Sequence, residues 1–311
     1  MNTENPVWSA PRKATLAASS ASLLLILVKL SIGISTGAVV VLASAVDSLL
    51  DFVVSSFNAY AVRSSEKPSD DVYNYGKGKI EGLASFLEGL FILASALYIL
   101  REAIYKFSSA SHTLTTDHLN FAIGAMVFSL FITYVLVIYL NRMAKESNNL
   151  IVKADTVHYQ IDLLSNGGIL VALILIRFTR WDWVDPVIAV GVSLFVAKAA
   201  IPLLRNGMEM LLDRALDIIL VDQIRNIAQT HSARVNGVHE LKTRQAGDTH
   251  FVEFHLVFDE NIKLREAHQI ADEIELRIRN LDKCRWIINI HLDPVDDSRR
   301  DHKMAKVRLD E

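Results

Sequence analysis

Residues 38–62 read AVVVLASAVDSLLDFVVSSFNAYAV. A bilayer crossing needs about 20 mostly apolar residues, and this run supplies them with only Asp47 and Asp51 charged. A carboxylate at membrane depth costs roughly 3 kcal/mol on insertion scales, and such groups tend to mark ion pathways. The two aspartates are four residues apart, so on a helix they share one face, one turn apart. The stretch predicts a membrane helix with an acidic face.

Five more runs of spanning length surround it, at about 14–36, 80–103, 119–141, 155–176 and 184–205. Their connections carry positive charge mainly on one side. Arg12 and Lys13 precede the first run; Arg63, Lys67, Lys77 and Lys79 follow the second; Arg142, Lys145 and Lys153 follow the fourth. The turn at Ser35-Thr36-Gly37 is uncharged, and residues 108–117 hold no Lys or Arg. Arg177 and Arg180 run against the trend, accompanied by Asp182 and Asp185. The positive-inside rule puts both termini in the cytoplasm. The N-terminus shows no cleavable-signal pattern. A large soluble helical bundle is the competing reading.

Composition points the same way. Hydrophobic residues make up 51% of the 311 residues, and the mean hydropathy is +0.27. The apolar excess lies before residue 206. The expected organisation is an all-α membrane domain of six helices over 1–206, embedded in a lipid bilayer. A soluble domain follows over 207–296, and a charged tail over 297–311 is expected to be disordered. The net charge of -3 leaves no basic footprint for nucleic acid. A single cysteine, Cys284, rules out a disulfide framework and a multi-cysteine metal site, so metal ligands must come from His, Asp and Glu.

The fifth run repeats the spacing of the second with His158 and Asp162. Two facing helices would offer three carboxylates and an imidazole around one point. Within an apolar span there is little water to solvate such pairs, so a metal or proton site is the natural reading. Oxygen ligands alone would suit magnesium, calcium or manganese; the imidazole shifts preference toward zinc, cadmium, iron or cobalt. Zinc takes four ligands of these types tetrahedrally. Lys29, Glu81 and Glu88 read instead as snorkelling or interhelical pairing near the helix ends. No nucleotide-binding glycine loop occurs, which disfavours an ATP-driven pump and leaves an ion gradient as the energy source. Metal must displace protons from its ligands, and histidine titrates near neutral pH, so one site can exchange metal for protons.

Residues 207–296 switch period. Residues 217–230 and 264–280 have helical apolar spacing, whereas 250–258 and 286–293 alternate. The order is helix, strand, strand, helix, strand, a small α+β domain whose open sheet face invites a second copy.

The motifs DSLLD (47–51), HYQID (158–162), YGKGKIE (75–81), LLDRAL (211–216) and KTRQAG (242–247) resemble the cation diffusion facilitators over essentially the whole chain. The resemblance implies a transport site of Asp47, Asp51, His158 and Asp162, of the zinc/cadmium rather than the manganese type. It implies a metallochaperone-like αββαβ cytoplasmic domain with two structural zinc ions. His239, His255 and Asp293 would hold one; His268, His291 and Asp293 the other. It implies a Y-shaped homodimer that alternates access and returns protons for metal, with Lys79 and Asp213 as a charge pair where the two halves meet. Relatives carry a further loop site of one Asp and two His. Here SDDVYNYGKGK (69–79) keeps Asp70, but Tyr73 and Lys77 stand at the histidine positions, so weak or no metal binding is expected there. His231, His250 and His302 have no counterpart and read as surface residues.

The expected function is efflux of divalent metal, zinc with iron(II) and cadmium as further substrates, by proton antiport, with no enzyme activity. The fourth-to-fifth loop has no His-rich insert, which suits a bacterial plasma (inner) membrane. A membrane-bound metal sensor is the alternative, but a sensor needs no ligands within the bilayer. An exporter of organic cations would call for a lone carboxylate in an aromatic cavity.

Overall fold

The computed structural model describes residues 9–36, 39–108, 119–147, 149–179 and 184–296. The charged tail expected over 297–311 lies outside them. Six long helices come first: α1 (Ala10–Thr36), α2 (Val39–Ser65), α3 (Ile80–Ser108), α4 (Leu119–Ser147), α5 (Leu150–Thr179) and α6 (Val184–Leu211). Then follow α7 (Ile218–Thr230), β1 (Gly237–Ala246), β2 (Thr249–Val257), α8 (Leu264–Arg279) and β3 (Arg285–Asp293). The chain forms two compact units that part between Glu209 and Met210.

The helical unit is apolar on its outside. Leu27, Ile34, Val53, Phe131, Leu194 and Ile201 are all more than half exposed, a pattern that water would penalise and hydrocarbon does not. Among the described residues, four stretches have the length and apolar composition to cross a membrane: Ala10–Ser35, Ile80–Tyr105, Met126–Ser147 and Val187–Leu211. The helices meet through small residues. Ala14, Ala18 and Ser22 of α1, Ala61 of α2, Ala84 of α3 and Ala154 of α5 are buried, which lets backbones approach closely where no hydrophobic drive separates helix from lipid. One such close backbone approach is at Gly207 of α6. A Cβ there would lie 2.6 Å from the Gly82 carbonyl oxygen and 2.7 Å from the Phe86 nitrogen, both on α3.

The second unit is a three-stranded sheet ordered β1-β2-β3, with β1 and β2 antiparallel and β2 and β3 parallel. The parallel step is made by α8. Even-numbered residues of β2 and β3 (Val252, Phe254, Leu256, Trp286, Ile288) pack on Ile224 and Ala228 of α7 and on Ile270, Ala271, Ile274 and Ile278 of α8. Asp217 caps α7, its Oδ1 accepting from Ile219 N–H at 2.9 Å. His239 lies in β1. A bulge falls just after it, between His239 and Lys242. Glu240 takes a left-handed φ of 52° there, a conformation costing about 1–2 kcal/mol for a residue with a side chain. Bulges re-aim side chains near sites.

Candidate metal sites

Three of the four ligands expected at membrane depth converge. Asp51, His158 and Asp162 each offer an atom within 4.8 Å of the others. His158 Nε2 is 3.3 Å from Asp51 Oδ1 and 3.6 Å from Asp162 Oδ2. The imidazole is buried, with 4% exposure, and stands edge-on to Tyr159 at 5.3 Å. Asp47 is the exception. It is exposed and stands outside the three-residue group. Like charges one turn apart on a helix repel, and of the two aspartates it is Asp51 that meets His158. The charge of Asp47 still acts on Asp51 and Lys29.

Beside this group lies a polar cluster that the sequence reading left out. Asn58 of α2 donates through Nδ2 to Glu88 Oε2 on α3 at 2.9 Å and to Asp155 Oδ1 on α5 at 2.8 Å. All three are buried. Glu88 Oε1 and Asp155 Oδ2 make no hydrogen bond, so both carboxyl groups keep an oxygen able to take a proton. The pairing expected for Glu88 is therefore interhelical, but deep rather than at a helix end. Lys29 likewise is buried, its Nζ donating to Ser48 Oγ at 2.8 Å and to the Ser44 carbonyl at 3.3 Å. Ser65 Oγ donates to Glu81 Oε1 at 3.0 Å. Asp155 was legible as a second acidic residue in the fifth run; Asn58 was not, because its two partners come from other helices.

The loop after α2 closes on itself. Asp70 Oδ1 accepts from the Val72 and Tyr73 amides at 3.0 and 2.6 Å. The Tyr73 amide above all holds this exposed carboxyl below its usual range. Lys77 Nζ sits 4.2 Å from the centre of the Tyr73 ring, a cation–π contact. Lys79 precedes α3, its carbonyl accepting from Leu83 N–H. Asp213, in the second unit, lies 3.5 Å from Arg244.

In the sheet of the second unit, register aligns three histidines. His239 pairs with His255 across β1 and β2, and His255 with His291 across β2 and β3. Their ring centroids are 4.9 and 4.6 Å apart. Asp293, 5% exposed, reaches into this row from the end of β3. Its Oδ2 is 2.8 Å from His255 Nδ1 and 3.2 Å from His239 Nε2, and its Oδ1 is 2.5 Å from His291 Nδ1. Burial opposes the Asp293 charge, yet the hydrogen bonds from His255 and His291 outweigh it and hold the carboxyl below its usual value. Three imidazoles around a carboxylate whose two oxygens point to different rings fit zinc coordination. His268 stands apart on α8, its Nε2 3.7 Å from Asp272. It lines, with His255 and His291, an open groove of about 490 Å³.

Two histidines read as plain surface residues are not. His231 lies 2.8 Å from Glu273 and 3.3 Å from Arg277, joining α7 to α8. His250 is buried, with 6% exposure, and packs edge-on against Trp286 at 4.6 Å. Its parity with Val252 and Phe254 was the available signal: even positions of β2 face the core. His302 lies outside the described residues.

Comparison with known proteins matches this layout. Residues 15–212 match the family model described as the cation efflux transmembrane domain, and residues 216–295 that of the cation efflux protein cytoplasmic domain. The cation-efflux pump FieF of Shewanella oneidensis is 35% identical over 282 residues, covering 91% of this chain and 93% of the relative. FieF of Salmonella arizonae is 34% identical over 285 residues, covering 91% and 92%. A solved structure of CzrB in its zinc form is 35% identical, with a TM-score of 0.26, over 27% of this chain and 96% of that one. With the two family models matching residues 15–212 and 216–295 and relatives above 30% identity over most of both chains, the chain belongs to the cation efflux, or cation diffusion facilitator, family.

Proposed function

We propose that this cation efflux protein exports zinc in exchange for protons, with iron(II) and cadmium as further cargo. The observation that carries the reading is the group of Asp51, His158 and Asp162 within helices of spanning length. Each of these ligands must lose its proton, or its charge partner, to receive a dication, so metal and protons compete for one set of atoms. Asp47 completes a tetrahedral set by a rotamer change of one side chain. Alternating access then carries the loaded site to the outer face, where protons reload it.

The cytoplasmic domain pairs with a second copy. Zinc held by His239, His255 and Asp293, with a second ion on Asp293, His291 and His268, favours the folded dimer by mass action. The loop charges support cytoplasmic termini, and the fourth-to-fifth loop without a His-rich insert supports a bacterial inner membrane. A sensor without transport is less well supported, because it leaves the intramembrane ligands without a task.

The test is stopped-flow uptake of zinc into vesicles holding the purified protein, with and without an imposed pH gradient. Zinc flux accelerated by an opposing proton gradient is the expected result. Flux indifferent to the gradient removes antiport, and no flux at all removes the exporter.

A further inference from the structure

The sheet holds a third group of potential ligands, at its opposite end and on its opposite face from the histidine row. His250 and His255 are five residues apart on β2, an odd number, so they face opposite sides, roughly 17 Å apart along the strand. Beside His250, Asp282 and Cys284 from the turn between α8 and β3 complete a trio in which each residue offers an atom within 4.8 Å of the others.

From this placement we propose that His250, Asp282 and Cys284 form a further binding site for a soft divalent cation of the zinc or cadmium type. Asp282 is the organiser. Its Oδ1 accepts from the Cys284 amide at 2.8 Å and from Trp286 Nε1 at 3.0 Å, which fixes the turn and leaves Oδ2 facing the histidine. His250 Nδ1 lies 3.3 Å from that Oδ2 yet makes no hydrogen bond, although the residue is only 6% exposed. A buried ring nitrogen without a hydrogen bond is costly, and this one faces a carboxylate oxygen in a group that also offers a thiol. Imidazole, carboxylate and thiolate are the mixed donor set that zinc accepts, with a fourth position for water.

Burial and nearby charge set the protonation of the site. Burial lowers the affinity of His250 for a proton, which favours the neutral ring that a metal needs. Burial, then the charges of Asp282 and Asp248, push the Cys284 thiol up to about 11. The same negative surroundings that hold the proton on sulfur attract a dication. On binding, the S–H bond breaks, the sulfur keeps the electron pair for the metal, and the proton leaves to solvent.

Cys284 is the sole cysteine of the chain, so sulfur-to-metal charge transfer reports this site and no other. Cadmium is titrated into the purified full chain and the ultraviolet charge-transfer absorption followed. One thiolate-bound cadmium per chain is expected, with no band in Cys284→Ser. Asp282→Asn keeps the Oδ1 acceptor that shapes the turn but removes the negative oxygen, and at least a tenfold weaker affinity is expected. His250→Phe fills the same space without a lone pair and gives a comparable loss. If His250→Phe does not fold, the Asp282→Asn titration decides alone. No charge-transfer band in the wild-type protein, or an affinity unchanged in Asp282→Asn, overturns the proposal.

Discussion

The Tyr159 hydroxyl lies 2.8 Å from Ser55 Oγ, tying α5 to α2 one residue beyond His158 and one turn beyond Asp51. The same hydroxyl donates to the Ala18 carbonyl of α1 at 3.3 Å. Three helices are thus held in register beside Asp51 and His158. Tyr159→Phe removes the link and leaves Ser55 buried with a lost partner, at a cost of about 1–2 kcal/mol. Lower thermal stability and severalfold weaker zinc binding by calorimetry are expected. A variant with wild-type affinity would show that the register is held by packing alone.

Asp51→Ala removes a member of the observed trio and is expected to reduce zinc flux in proteoliposomes to background without unfolding the protein. Asp47→Ala is the sharper comparison, since Asp47 is exposed and outside the trio. Flux is expected to fall to background there too. Retained flux would mean that three ligands and water suffice.

Asn58 supplies both of its amide hydrogens to buried carboxyl groups. Asn58→Leu keeps the volume and removes both donors, with an expected loss of about 1–3 kcal/mol. Thermal unfolding of the purified protein measures it. An unchanged midpoint would mean that Glu88 and Asp155 satisfy each other by sharing a proton.

The loop at Asp70 offers a gain of binding. Tyr73 and Lys77 already touch through the cation–π contact, so two imidazoles at these positions would lie near each other and near Asp70. The double variant Tyr73→His with Lys77→His is expected to add one zinc ion per chain by elemental analysis. An unchanged metal content would show that the Val72 and Tyr73 amides hold Asp70 too firmly to turn.

His291→Ala takes away the one ring bonded to Asp293 Oδ1. A lower zinc content and a weaker dimer by sedimentation are expected. Full metal content in this variant would move the second ion off Asp293.

The sequence carried the strands and the site pairs because both are local. Alternation at 250–258 marked β2, and spacing by four marked the faces bearing Asp51, His158 and Asp162. What stayed hidden depends on partners distant along the chain. Asn58 is an ordinary polar residue until α3 and α5 bring Glu88 and Asp155 to it. The bulge after His239 hid a strand residue ahead of the visible alternation. His250 was misread although its parity was plain, because a histidine at a strand end is judged by its composition before its register.

At Gly207 the backbone of α6 lies so near Gly82 and Phe86 of α3 that no side-chain atom fits between them. Two helices in such contact cannot slide past each other without first separating, so they are bound to travel as one lever. A single methyl group at position 207 would act as a wedge, prising α6 away from α3.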